Sequence, residues 1–120
     1  MIVNNTNFGV LFETEDFIVV NKPAPLLVHP SVPGNPPTLL DGIKDLLAYD
    51  IANGARLSII NRLDRETSGV VIVAKNKHTA RQFGIAMQQH KIKKEYLALV
   101  HGTPKEKKFT VEAPILRAGE

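Results

Sequence analysis

A chain of 120 residues, 43% of them hydrophobic, can bury a single-domain core, though it is small for an enzyme. It has no cysteine, which excludes disulfides and thiolate metal sites and fits a reducing compartment. No apolar run reaches membrane-spanning length and Met1 to Asn5 lacks the regions of a signal peptide, so the expected location is the cytoplasm. The net charge is only +3, but it is laid out unevenly.

Residues 1–60 hold three Lys/Arg (Lys22, Lys44, Arg56) against six Asp/Glu. Residues 75–108 reverse this: Lys75, Lys77, Arg81, Lys91, Lys93, Lys94, Lys105, Lys107 and Lys108 stand against Glu95 and Glu106 alone. That asymmetry suits a polyanionic partner, although a basic face can also be merely solvated.

In chain order, residues 1–10 give no firm pattern. Leu11-Phe12, Glu13 to Asp16 and Phe17 to Val20 read as strand, turn and strand, a hairpin. Asn21-Lys22-Pro23-Ala24-Pro25 stops the second strand, because proline removes a ladder donor. Leu26 to Val28 is a short strand candidate, and His29 to Pro37 reads as a proline-rich loop. Lys22 and His29 could face a ligand, or serve as ordinary surface and turn residues.

Thr38 with Asp41 imitates a capping box. Leu39, Leu40, Ile43, Leu46, Leu47 and Ile51 then recur at helical spacing up to the stop at Asn53-Gly54. This helix should cover one face of the sheet, with Asp45 and Asp50 outward. Leu57 to Ile60 leads into a charged loop, and Val70 to Ala74 leads out as a strand expected to be buried on both faces. Asn76 is an N-cap candidate for a helix to about His90, with Ala80, Phe83 and Met87 inward. A last strand is expected over Tyr96 to Val100, followed by a turn at His101 to Pro104, a lysine-rich connector, Phe109 to Val111 and a tail that includes Pro114 to Leu116. No internal repeat or interdomain linker is evident. Together the elements predict one α+β domain over residues 1–120, a mixed or antiparallel sheet with helices on its outer faces.

The loop Asn61-Arg62-Leu63-Asp64-Arg65-Glu66-Thr67-Ser68-Gly69 puts charge, turn chemistry and a strand side by side. Asp64 lies between two arginines, which favour an ionised carboxylate. Leu63, Ile59 and Ile60 anchor the loop, while Thr67-Ser68-Gly69 offers hydroxyls for local backbone bonds and a residue tolerant of positive φ. A turn aspartate paired with an arginine is the plainer reading of Asp64.

This loop, with Val70 to Lys75, resembles the catalytic motif of the RNA pseudouridine synthases of the RluA type, a family in which His-Arg-Leu-Asp is followed by two variable residues and Thr-Ser-Gly. Two further segments agree in order: Val19 to Pro23 with Leu27 to Pro30 upstream, and Lys94 to Gly102 downstream. The resemblance implies the N-terminal portion of a pseudouridine synthase catalytic domain, with no RNA-binding module ahead of it. It also implies Asp64 as catalytic carboxylate, Arg62 and Tyr96 as substrate-binding residues, and RNA, ribosomal or transfer, as partner. Arg65, Lys91, Lys93 and Lys94 become candidate RNA backbone contacts. No cofactor, metal or nucleotide is required.

The chemistry the family performs breaks the N1–C1′ bond of uridine, turns the base and rejoins it through C5. A carboxylate beside the sugar can attack C1′ or take a proton from C2′, and it would stabilise an oxocarbenium-like transition state as in glycoside hydrolysis. The target must first be extruded from the RNA stack. An aromatic such as Tyr96 then provides stacking of about 1–3 kcal/mol.

Three departures from the family pattern matter. Asn61 stands where histidine is usual, which predicts a structural or hydrogen-bonding difference rather than lost catalysis. Pro25 stands where glycine is usual. The motif that brings a second arginine to the aspartate lies beyond residue 120. Alternatives are therefore an inactive RNA-binding fragment or, much less favoured, a metal-dependent hydrolase, for which no ligand-spaced carboxylate or histidine pair is found.

Overall fold

The computed structural model describes residues 7–30 and 37–116; the expected loop over residues 31–36 and the ends at 1–6 and 117–120 lie outside these. The hairpin forms as β1 (Gly9–Glu13) and β2 (Phe17–Lys22), closed by a turn in which the Thr14 Oγ1 accepts from the amides of Asp16 and Phe17. After the helical segment come β3 (Ser58–Ile59) and β4 (Gly69–Ala74). The four strands form a fully antiparallel sheet in the order β1-β2-β4-β3.

Strand alternation decides what each face carries. Ile18 pairs with Val73, Val20 with Val71 and Lys22 with Gly69, so these side chains share one face. Leu39, Ile43 and Leu47 of the helical segment, together with Val28, close over that face, and with Ile18, Val20, Val71 and Val73 they make the core. On the opposite face α3 (Lys77–Gln88) packs Phe83 edge-on against Phe17 at a centroid distance of 5.3 Å. That face is less covered. Val70 is exposed and Ile72 half-buried, so β4 alternates rather than being buried on both sides as its unbroken apolar run suggested.

The capping box is present: the Thr38 hydroxyl accepts from the Asp41 amide and the Asp41 carboxylate accepts from the Thr38 amide at 2.8 Å. The single expected helix is instead two, α1 (Leu39–Leu46) and α2 (Ala48–Ala52), meeting at Leu47. Hydrogen bonds from Leu47 N–H to Ile43 and from Ile51 N–H to Leu47 bridge the break. Asn76 caps α3 through the Thr79 amide at 2.8 Å, and the helix ends at Gln88, with His90 beyond it at φ 54°.

Two expected strands do not form among the described residues. Leu26 to Val28 pairs with no strand; its carbonyls at Leu27 and Val28 take the first amides of α1 instead. Residues 91–116 run without helix or strand, and Leu97 and Leu99 are fully exposed. Their alternation is strand-like, but a strand exists only by pairing its backbone groups, and no described neighbour reaches these.

Lys75, part of the basic stretch in sequence, is only 6% exposed. Its ammonium lies 2.6 Å from Glu13 and 3.6 Å from Asp50, tying β1 and α2 to the end of β4. Lys75→Met would leave those two carboxylates facing a thioether. Glu13 and Asp50 keep 41% and 39% of their side-chain surface exposed, so water takes the place of the ammonium. The expected loss is about 0.5–1.5 kcal/mol of unfolding free energy in a urea titration, the net range for one hydrogen bond. A midpoint unchanged from wild type would show that the ion pairs contribute nothing.

Candidate active site

The charged loop leaves the sheet between β3 and β4 and is fastened from two sides. On one side lies Lys22, whose place on the core face of β2 carries its aliphatic stem inward with Ile18 and Val20. The residue is 0% exposed. Its ammonium donates to the carbonyl oxygens of Leu26 at 2.6 Å, Pro23 at 3.0 Å and Arg65 at 3.4 Å. The Arg65 carbonyl also accepts from the Leu26 amide at 2.9 Å. Lys22 therefore does not face a ligand; it joins the end of β2, the turn containing the cis Ala24–Pro25 peptide, and the loop one residue after Asp64. Burial holds its ammonium below the ordinary lysine value, opposed by the weaker attraction of Glu66.

On the other side, the Asn61 carboxamide accepts from the Ile72 amide and donates to the Val70 carbonyl, both at 2.8 Å. Within the loop, the Thr67 amide closes a turn onto the Asp64 carbonyl at 3.0 Å. Gly69 reaches φ 140°, a conformation open to glycine, with Leu63 packed 3.7 Å from where a Cβ would stand.

Asp64 is held at the surface with its side chain exposed. The flanking arginines do not clamp it. Arg65 turns to Glu66 at 3.3 Å, and among the described residues no ion pair or side-chain hydrogen bond reaches Asp64. Neighbours in a turn project in different directions, so adjacency in sequence did not become contact. Arg62 is exposed and likewise unpaired among the described residues.

Beside the loop lies a cavity of about 420 Å³. One wall is Asn61, Leu63, Thr67 to Val70 and Ile72; the other is Ile92 to Leu97, with Met87 from α3. Tyr96, 63% exposed, lines it with Lys93 and Lys94, whereas Asp64 is not among its lining residues. The Thr67 and Ser68 hydroxyls, expected to bond the local backbone, make no such bonds among the described residues and border this cavity. Lys93 pairs with Glu95 at 2.9 Å, and Lys91 and Lys94 are exposed. His29 is half-buried and apart from the cavity lining.

Sequence reading assigned no role to Thr67 and Ser68 beyond local bonding, and it left the fastening by Lys22 unread. The only available signal for the lysine was strand alternation, which puts position 22 on the core face. Among the described residues no three His, Asp or Glu side chains gather as a metal site, and no helix is long and apolar enough to cross a membrane.

Residues 16–118 match the model of the RNA pseudouridylate synthase family. An uncharacterized RNA pseudouridine synthase of Synechocystis is 34% identical over 98% of this chain and 36% of its own length. The ribosomal large subunit pseudouridine synthase D of Nitrosomonas europaea is 38% identical over 90% of this chain and 31% of its own length. The chain thus spans about a third of the relatives it matches. Among solved structures, human RNA pseudouridylate synthase domain containing 4 is similar at 27% identity and TM-score 0.55, over 69% of this chain and 30% of that one.

The buried lysine gives stability a pH dependence. Because its folded-state value is lowered, the unfolded chain holds the proton more tightly. The penalty for burying the charge is therefore complete below the folded value, and stability rises as pH climbs through that value toward the ordinary 10.5. Urea midpoints of wild type and Lys22→Met, compared from pH 7 to about 10.5, should show this rise in the wild type and lack it in the variant. Parallel pH profiles would mean that Lys22 is solvated.

Proposed function

We propose, since this chain belongs to the RNA pseudouridylate synthase family, that it carries the catalytic loop of an enzyme isomerising uridine to pseudouridine in RNA, with Asp64 acting at the ribose. Ribosomal RNA is the favoured substrate, because the related enzymes from Nitrosomonas and Buchnera are named for the large ribosomal subunit; transfer RNA is the other candidate. The observation that carries the proposal is an exposed aspartate, without a protein cation beside it among the described residues, on a loop fastened by Lys22 and Asn61.

An extruded uridine would bring C1′ to the Asp64 carboxylate and stack its base on Tyr96. The carboxylate attacks C1′ or removes the C2′ proton as the N1–C1′ bond breaks, and charge on the sugar is met by the same anion. The uracil turns and C5 bonds to C1′ as the carboxylate–C1′ bond breaks or, on the other route, as the carboxyl group returns the proton to C2′. The C5 proton then leaves and N1 is protonated, so the product is an isomer of the substrate and the carboxylate is regenerated. Arg62 would occupy the vacated stack or hold a phosphate. Arg65, Lys91, Lys93 and Lys94 would follow the backbone, giving affinity without sequence choice.

A second reading, an RNA-binding fragment without turnover, is favoured by two observations. The chain covers about a third of its relatives, and residues 91–116 have no sheet partner among the described residues. Tritium release from RNA labelled at uracil C5 separates the readings. Turnover by the wild type should fall roughly 100-fold or more in Asp64→Asn, the range for a positioned acid or base, with RNA affinity retained. Equal release by the variant would remove Asp64 from the mechanism, and no release by the wild type would leave the fragment reading.

Both readings require RNA affinity that weakens as salt rises. Replacing Lys91 and Lys94 with glutamine should reduce the magnitude of the logarithmic salt slope by about 1 for each phosphate no longer neutralised. Salt-independent binding would contradict a basic RNA face.

A further inference from the structure

The pairing of β3 with β4 has an unusual end. Ser58 opposes Ala74 and Ile59 opposes Val73, so the next facing pair is Ile60 and Ile72. The Ile60 amide donates to the Ile72 carbonyl at 2.8 Å, as a continuing ladder requires. The return bond goes elsewhere. The Ile72 amide donates to the Asn61 Oδ1, not to the Ile60 carbonyl, and the Asn61 Nδ2 donates to the Val70 carbonyl, where a continuing strand would present the Arg62 amide.

One carboxamide thus replaces the acceptor on one side of residue 61 and the donor on the other. Ladder bonding along β4 extends to Val70 although the facing main chain is no longer bound to it. We infer that Asn61 is a positioning residue for the Asp64 loop: its side chain completes the sheet, releases the backbone at position 61 and fixes where the loop departs. The inference rests on the proposed role of Asp64 for its catalytic meaning, though not for its geometry.

The residue type matters because a carboxamide presents its oxygen and NH2 close together on one end. The two nitrogens of an imidazole point away from each other, so histidine, usual in the resembling motif, cannot meet the Ile72 amide and the Val70 carbonyl in the same way. Aspartate keeps the acceptor but places an anionic oxygen against the Val70 carbonyl.

The test is amide hydrogen exchange followed residue by residue in this chain, joined to the turnover assay. In Asn61→Ala the Ile72 amide should exchange about tenfold faster, the upper range for one net hydrogen bond, and the Thr67 amide, which closes the turn on Asp64, should also accelerate. Amides paired between β2 and β4 away from residues 70–72 should keep their protection, showing that the variant folds. In Asn61→Asp the Ile72 amide should stay protected while Thr67 accelerates. Turnover should lose kcat by a larger factor than KM for RNA rises, because a displaced loop moves the reacting carboxylate, while of the proposed RNA contacts it moves Arg62 and Arg65 and leaves Lys91, Lys93 and Lys94 in place.

Unchanged exchange at Ile72 and Thr67 in Asn61→Ala overturns the inference, as does a loss confined to KM. If the unsubstituted chain releases no tritium, exchange alone decides the role of Asn61, and the isomerase reading is what fails.

Discussion

The ammonium of Lys22, sealed beneath the end of β2 with no ion-pair partner among the described residues, is the contact on which the placement of Asp64 depends. A buried cation is costly unless its donors are met, and here three carbonyls from two stretches of chain, the Pro23 to Leu26 turn and the loop at Arg65, meet them. The Arg65 carbonyl is shared with the Leu26 amide, so the ammonium and that backbone bond fasten the loop together. The Pro23 to Leu26 turn, the strand end and the loop at Arg65 are therefore specified together. Moving any one would leave the buried ammonium short of an acceptor.

The same region shows a division of labour. The core row Ile18, Val20, Val71 and Val73 under α1 makes the sheet rigid, and Lys22 continues that row to the point where apolar packing stops. Asn61 holds the opposite stem of the loop through two backbone groups of β4. Between these fixings the chain carries Asp64 outward, leaving its carboxylate without a partner among the described residues. For the proposed role the carboxylate must be free when substrate arrives, and a loop fastened at both stems leaves it free with little loss of position.

Much of the scaffold was legible in the sequence because local signals agreed. Thr38 with Asp41, Asn76 before α3, and the apolar runs on either side of the acidic hairpin turn each specify structure within a few residues. What escaped depends on distant partners. The Tyr96 to Val100 alternation cannot become a strand without a neighbour, and the split at Leu47 is invisible to helical spacing. Arg62 and Arg65 flank Asp64 in sequence, yet Arg65 turns to Glu66. The burial of Lys22 and Lys75 was hidden by residue type, since lysine is ordinarily a surface residue. Strand alternation put Lys22 inside, and three carbonyls 1, 4 and 43 residues away made that tolerable.

The central claim is that RNA meets this chain where the Asp64 loop and the Tyr96 segment face each other across the cavity. It is tested most directly by assigned amide chemical shifts recorded while a uridine-containing oligonucleotide is titrated into the chain. The expected result is a set of perturbations converging on residues 61–70 and 92–97 and diminishing at high salt, with α1 and the outer edge of β1 unaffected. Perturbations gathered on α1 or β1, with the loop unmoved, would contradict it.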